Sequence, residues 1–312
     1  MRFPMKFSML SYLPPLATLC AALTLTTAAG VAYAQSSPTA SQMPSASPAA
    51  GSVSAAAASA ATTTSAPTSA AATSAAAGSA PPQSDWVITL GAGVMAGPKY
   101  PGSNSMRFQP IPAIDIEYKN LLFAKQDMPL GVYFINTPVW SAGLAVQYDN
   151  TERRPSDNPA LASIGGVDPT YRAKLFGSYT LSALTFSTSA AQDIDGHSEG
   201  LLIDANVIGT LPLGSKWYLS AGPGATWGNS QYQNTFFGVS QAQSAASGLP
   251  QYQAHAGLRD IYLSFEADYL ITKHWTATAT VKIAQLQSSA ARGPVTQSRQ
   301  QTTTTAALSY TF

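Results

Sequence analysis

The chain has 312 residues, one cysteine, 10% charged residues and a formal net charge of +1. Soluble globular proteins carry about a quarter charged residues, so this composition is unusual for that class. The near-neutral balance argues against a nucleic-acid partner, because such a partner requires a basic patch. After the N-terminus no stretch of about 18 apolar residues occurs, which excludes a helical membrane protein.

The first predicted element is an export signal over residues 1–34. Arg2 and Lys6 give it a positive start, an apolar stretch follows, and Ala32-Tyr33-Ala34 offers a cleavage site. The alternative is lipoprotein processing at Cys20, which the bulky leucine just before this cysteine disfavours. Cleavage at the downstream site leaves a chain without a thiol, and therefore without a disulfide or a cysteine-based metal site.

The second element, residues 35–84, is a low-complexity segment of Ala, Ser, Thr and Pro without charged or aromatic residues. It has nothing with which to build a core, and prolines interrupt its alanine runs, so we predict a disordered spacer. A flexible link is the simpler interpretation of this segment. A periplasmic tether that reaches toward the cell wall is the functional one.

From residue 85 onward, apolar and polar residues alternate with a period of two, which predicts β-strands. The predicted strands are 86–95, 107–118, 121–125, 130–136, 139–149, 170–181, 184–193, 200–212, 216–228, 260–271, 274–287 and 303–312. In the last strand Ala306, Leu308, Tyr310 and Phe312 share one face, and the residues between them are small or polar. A terminal strand of this kind in an exported chain is typical of outer-membrane barrels.

We therefore predict an all-β fold for residues 85–312, a transmembrane antiparallel up-and-down β-barrel of about 12 strands, with about 10 as the alternative. Aromatic residues concentrate at strand ends, as two interfacial girdles require. Most connections alternate between short and long, which places both ends of the barrel on the periplasmic side. The connection 126–129 is the exception, because it is short where a long loop is expected. The predicted location is the outer membrane, with membrane lipid around the barrel.

The polar faces of the predicted strands carry charged residues. A charge on the lipid face near the bilayer centre costs about 2–4 kcal/mol for Arg or Lys, so we predict that these residues face the lumen. They are Asp115, Glu117, Arg172, Lys174, Asp204, Asp260, Glu266, Asp268 and Lys282. They could select ions in a narrow pore, or they could form salt bridges that fill a small barrel; a barrel of this size permits both.

One formal catalytic motif occurs, the G-x-S-x-G match Gly196-His197-Ser198-Glu199-Gly200. An esterase elbow requires a helix after the serine. The residues that follow have strand periodicity instead, so we interpret the match as a glycine-rich extracellular turn. Histidines and carboxylates show no metal-binding spacing, and we predict no metal, no cofactor and no enzymatic activity.

Several segments together carry a family resemblance. They are 97–103 (GPKYPGS), Tyr232, 235–240 (TFFGVS), 247–252 (SGLPQY), 256–260 (AGLRD) and the C-terminal 308–312 (LSYTF). Over roughly residues 85–312 the chain resembles the MipA/OmpV family of outer-membrane proteins, in which MipA is the MltA-interacting protein. The resemblance implies an outer-membrane barrel and supplies no catalytic residues.

For function, the MipA branch of the family implies a scaffold that links a lytic transglycosylase with a murein synthase in sacculus assembly. The OmpV branch implies a porin-like channel or a host-contact protein, which we keep as the alternative. An outer-membrane hydrolase is the remote alternative. In the loops, a set of apolar residues predicts either a plug in the barrel mouth or a partner surface: Tyr100, Tyr232, Phe236, Phe237, Leu249 and Tyr252.

Overall fold

The computed structural model describes residues 85–312, so the predicted export signal and spacer lie outside the described residues. Within this range twelve antiparallel strands form a sheet that closes on itself. The strands are β1 (Trp86–Pro98), β2 (Met106–Tyr118), β3 (Leu122–Lys125), β4 (Leu130–Asn136), β5 (Trp140–Asp149), β6 (Thr170–Leu181), β7 (Leu184–Asp193), β8 (Leu201–Leu213), β9 (Trp217–Gly228), β10 (Gly257–Leu270), β11 (Trp275–Leu286) and β12 (Gln300–Thr311). The loops contain the helices α1 (Ser230–Phe237), α2 (Gln241–Ser247) and α3 (Ser288–Arg292), and the 3-10 turns Pro155–Asp157 and Pro159–Ser163.

Each strand pairs with its neighbours in sequence, and the first strand pairs with the last. The closing register of β1 on β12 runs from Thr89 opposite Thr311 to Ala96 opposite Thr304. Closure satisfies the backbone groups that an open sheet edge would leave unpaired in hydrocarbon. The predicted fold class, an antiparallel β-barrel of about 12 strands, is confirmed.

The strand boundaries differ from the prediction mainly on the side of the long loops. There β1 extends to Pro98, β10 begins at Gly257 and β12 begins at Gln300. These extensions lie where apolar alternation has ended but backbone pairing continues, because an outward side chain beyond the lipid need not be apolar. Periodicity therefore underestimates the length of these strands.

The outer face of the barrel is apolar. On β10, for example, Ile261, Leu263 and Phe265 are each about half exposed, while the residues between them point the other way. Such an apolar surface in contact with solvent would be an aggregation site, whereas lipid covers it without cost.

A girdle of aromatic pairs encircles the rim that carries the short turns. Residues directly opposite on neighbouring strands pair at 4.4–5.2 Å between ring centroids: Trp86 with Tyr118, Trp140 with Tyr179, Trp217 with Tyr269, and Trp275 with Tyr310. Tyr148 and Tyr171 form a similar pair nearer the opposite rim. Aromatic rings of this kind mark the membrane–water interfaces.

The short turns and both barrel ends share one rim, which is the periplasmic rim in barrels of this type. The long loops 99–105, 150–169, 194–200, 229–256 and 287–299 gather at the other rim and form what we call the cap. None of the helices within residues 85–312 is long and apolar enough to cross a membrane.

Candidate functional site

The predicted lumen charges all lie on the strand face opposite to the exposed apolar residues. On β2, for example, Phe108 and Ile114 are exposed on the outer face, whereas Asp115 and Glu117 lie on the opposite face of the strand. In a closed barrel the face opposite the lipid is the interior. The interior charges form separate groups at different heights.

The first group lies on β2 and β3 in the periplasmic half. The Lys125 ammonium donates to Asp115 at 3.0 Å and to Glu117 at 3.1 Å. Both carboxylates were among the predicted interior charges, whereas Lys125 was not. Its position, two residues after the inward-facing Phe123, indicates the same face of β3. Two carboxylates around one lysine leave this part of the wall net negative. Elsewhere in the wall, on β10, Glu266 and Asp268 accept hydrogen bonds from Thr280 and Thr278.

Beside this group, three aromatic rings pack against each other inside the barrel. Phe123 contacts Tyr133 at 4.5 Å and Phe176 at 5.8 Å between centroids. Gly131 makes room for them, since a Cβ there would approach the Phe123 ring to 2.1 Å. The sequence analysis did not predict this interior cluster, although the aromatic Phe176 at an inward position was a usable signal.

The second group crosses the middle of the barrel wall on β8, β9, β10 and β11. The Tyr262 hydroxyl donates to Asp204 at 3.0 Å, and its ring lies over Gly224, where a Cβ would clash at 2.2 Å. The Lys282 ammonium lies 3.6 Å from the centre of the same ring. A cation over an aromatic face is favourable and leaves the remaining ammonium protons available to a ligand or to water.

The third group surrounds Arg172 just below the cap. This guanidinium is fully buried and bonds to Asp149 at 2.7 Å, to Glu199 at 2.6 Å and to the carbonyl of Gly200 at 3.0 Å. Burial raises the pKa of Glu199 to about 8, although Arg172 opposes the shift. One buried cation therefore connects β5 and β6 with the loop before β8.

Tyr232 connects this third group to the cap. The Arg259 guanidinium donates to its hydroxyl at 3.0 Å and to the Asp260 carboxylate. Arg172 and Arg259 each lie 5.7 Å from the centre of the Tyr232 ring. Two cations flanking one aromatic ring hold α1 against the top of the barrel wall.

The cap has two hydrophobic clusters, and they contain the residues predicted as a plug or partner surface. The first cluster holds Tyr232, Phe236 and Phe237, each at most 1% exposed, together with Val167, Ala254, Leu286 and Ala290. The second cluster holds Tyr100, Leu161, Ile164, Val239 and Val295, with Leu249 packed against it and Tyr252 touching both clusters. Tyr100, Tyr232, Phe236 and Phe237 are thus buried in the cap, whereas Leu249 and Tyr252 are partly exposed.

Three cavities follow one another below the cap. The first, of about 270 Å³, includes Lys99, Arg107, Arg259 and Lys282 in its lining. The second, of about 290 Å³, shares Arg259 and Lys282 with the first and includes Lys174. The third, of about 280 Å³, shares Lys174 and Asp204 with the second and reaches Met128 and Ser141. Neighbouring cavities share lining residues, so the three lie in series along the interior.

The G-x-S-x-G match lies in the exposed loop between β7 and β8. Ser198 has a positive φ of 61° and is followed by β8 rather than by a helix. His197 and Asp195 are 3.8 Å apart and both exposed. The strand–serine–helix geometry of an esterase elbow is not formed here. Residues 85–312 also contain no group of three or more His, Cys, Asp or Glu side chains that could hold a metal ion.

Comparison with known families decides where this barrel belongs. The sequence model of the family described as "MltA-interacting protein MipA" matches residues 90–312, from the first strand to the last residue. The chain belongs to this family. It is an outer-membrane β-barrel, as its lipid-facing apolar surface also requires. Among curated proteins, no relative matches the sequence significantly.

Solved structures with a related outline are outer-membrane porins and channels. The NanC porin covers 72% of this MipA-family chain and 98% of its own, with 9% identity and a TM-score of 0.42. The channel DcaP of Acinetobacter baumannii covers 73% and 96%, with 6% identity and a TM-score of 0.33. An anion-selective porin from Comamonas acidovorans covers 73% and 98%, with 7% identity and a TM-score of 0.34. Likeness at this level says nothing about what the barrel transports or binds.

Proposed function

We propose that this protein is a non-enzymatic interaction protein of the outer membrane, which brings murein enzymes to the periplasmic face of the barrel. The observation that carries the proposal is the cap over the opposite mouth, whose loops pack around two hydrophobic clusters. Its rings Tyr232, Phe236 and Phe237 are buried in the first cluster, so they are not exposed to a partner at the outward face. The name of its family describes a protein that interacts with MltA, a partner of the lytic transglycosylase class.

The periplasmic rim supplies the contact surface in this proposal. Its turns carry Lys119, Lys216 and Lys273, and Asp85 forms an ion pair with Lys119 at 3.4 Å. A basic rim favours an acidic patch on a partner and steers its approach. The proposal therefore requires a lytic transglycosylase or murein synthase that presents acidic residues to the barrel.

Binding of a purified MltA-type transglycosylase to the barrel in nanodiscs tests this proposal. We expect Lys216→Glu combined with Lys273→Glu to weaken binding at least tenfold, whereas Lys99→Glu on the cap side leaves it unchanged. Equal binding by both variants, or no binding by the unmodified full-length protein to either class of murein enzyme, contradicts the proposal.

A second candidate function is a narrow channel, and the series of three neighbouring cavities favours it. Conductance in a planar bilayer tests it directly. We expect small steps whose ion selectivity changes with Lys282→Glu, because this side chain lines two of the cavities. An unchanged, silent bilayer at high protein loading eliminates the channel.

A further inference from the structure

The barrel wall is much lower at β3 and β4 than elsewhere. β3 has four residues and β4 has seven, whereas β1, β2 and β8 each have 13. At ~3.3 Å per residue, β3 rises about 13 Å even without tilt, and the apolar band of a barrel is ~25 Å tall. Beside β2 this part of the wall therefore ends at the turn 126–129, below residues 106–113, whereas on the other side the turn pairs with Tyr148 near the top of β5.

The gap leaves one long strand edge without a strand partner. The ladder between β2 and β3 covers only Asp115 to Tyr118, and the last backbone bond runs from the Gln126 N–H to the Ile114 carbonyl at 3.0 Å. Residues 106–113 of β2 pair with β1 on one side. On the other side, no backbone hydrogen bond within residues 85–312 reaches them from a neighbouring strand.

Two prolines lie on this open edge, at alternate positions. The Ile114 carbonyl accepts from Gln126, so the backbone polar groups of Ile114 point to the side of β3 and the gap. Those of Pro112 and Pro110, two and four residues earlier, point the same way. Proline has no N–H, so both prolines remove a donor that hydrocarbon could not satisfy. The sequence is thus adapted to an edge that stays open in the membrane.

The gap has a defined frame. Its lower border is the turn 126–129, where Gln126 and Asp127 are exposed. Its upper border is the contact of Arg107 at the top of β2 with Glu152 and Asp157 in the loop after β5, the latter at 2.9 Å. The turn reaches the level of the outer aromatic pair, because the Tyr148 N–H donates to the Asp127 carbonyl at 2.8 Å.

The gap adjoins the first cavity. Arg107 and Gln109 on β2 line this cavity together with Asn150, Thr151 and Glu152 after β5, and the opposite wall contributes Lys282 and Arg259. Its charged lining consists of four cations (Lys99, Arg107, Arg259, Lys282) and two carboxylates (Glu152, Asp260), a net charge of +2. Within residues 85–312, Lys99 and Lys282 form no ion pair with a carboxylate.

We propose that the gap is a lateral window, through which the head group of an anionic membrane lipid reaches the cation-lined cavity while its acyl chains stay in the outer leaflet. The net positive cavity, the framed opening and the proline-adapted edge of β2 all meet at this place. The window opens to the leaflet and is independent of the periplasmic rim used in the proposed function.

Photocrosslinking in nanodiscs tests the window. The probe is phosphatidylglycerol with a diazirine close to the glycerol, diluted in phosphatidylcholine. We expect crosslinks on the inward-facing Gln109 and Ile111 as well as on the outward-facing Phe108 and Pro110. Crosslinks confined to outward-facing residues would overturn the proposal.

The charge preference has its own controls. We expect Lys282→Gln to reduce crosslinking at Gln109 several-fold, whereas Lys216→Gln on a periplasmic turn leaves it unchanged. The same diazirine on phosphatidylcholine should label Gln109 much less. Equal labelling by the two lipids, in barrels that remain heat-modifiable on unboiled gels, would contradict an anionic ligand.

Discussion

At the residue scale, Arg172 illustrates how the interior of the barrel manages charge. One buried guanidinium bonds to two carboxylates, Asp149 and Glu199, and the second oxygen of Glu199 is buried without a hydrogen-bond partner in the described residues. A buried ion pair is stable only when the remaining polar atoms are also satisfied. Burial, together with the nearby carboxylates Asp149 and Asp193, favours the protonated form of Glu199.

This protonation makes stability depend on pH. Burial raises the pKa of Glu199 to about 8, against an ordinary value of 4.5 in the unfolded chain. Between these values the folded protein keeps a proton that the unfolded chain has lost, so the free energy of unfolding falls as pH rises through this window. We expect Glu199→Gln to flatten that dependence, as measured by urea unfolding in micelles at several pH values. Asp195→Asn, exposed in the same loop, is the matched control and should keep the slope; a Glu199→Gln barrel with the unmodified slope contradicts the assignment.

At the element scale, the cap and the barrel are stabilised by different interactions. Apart from the open edge of β2, the strands form a hydrogen-bonded ladder around the barrel, whereas α1 is fixed by its N-cap, Asn229, and by the buried rings of Tyr232, Phe236 and Phe237. Loss of side-chain packing therefore affects the cap before it affects the strands.

Phe237→Ala tests this independence. The substitution removes a fully buried ring, which costs about 3–5 kcal/mol when a core cannot collapse around the space. We expect protease cleavage within the loop 229–256 to increase strongly, while the barrel still shifts on unboiled gels. Gln241→Ala, at an exposed position of α2, should leave both the protease cleavage and the gel shift unchanged. Simultaneous loss of the barrel shift in the Phe237 variant would show that the cap is part of the barrel's folding unit.

At the scale of the whole molecule, alternate residues of each strand face outward to the lipid. The residues between them face a polar interior. Leu263 and Ser264 are neighbours near the middle of β10 and lie on opposite faces. We expect Leu263→Arg to destabilise the barrel by about 2–4 kcal/mol, because it places a charge against the acyl chains. Ser264→Arg should cost much less, and the folded fraction on unboiled gels after refolding into vesicles distinguishes the two. Equal losses would mean that the outward face does not contact lipid.

The short connection 126–129 shows where sequence reasoning reached its limit. The pattern identified it as an exception to the alternation of short and long connections, but its consequence, an open edge on β2, depends on how many residues each neighbouring strand contributes to the wall. Likewise, Pro110 and Pro112 argue against a strand when the sequence is considered alone. Only the strand pairing shows that the positions of their missing N–H groups face the gap.

The sequence by itself determined the antiparallel barrel and which residues of each strand face the lipid, and it set the strand number at about 12 or about 10, because a period of two is local and repeats in every strand. Only the tertiary structure decided which charges meet, how the loops close one mouth and where the wall is low. Those features depend on register and on contacts between residues far apart in the chain: Lys125 with Asp115, Arg172 with Glu199, Lys282 with Tyr262. No local pattern encodes such pairings, since each arises from the stagger of strands around a closed barrel.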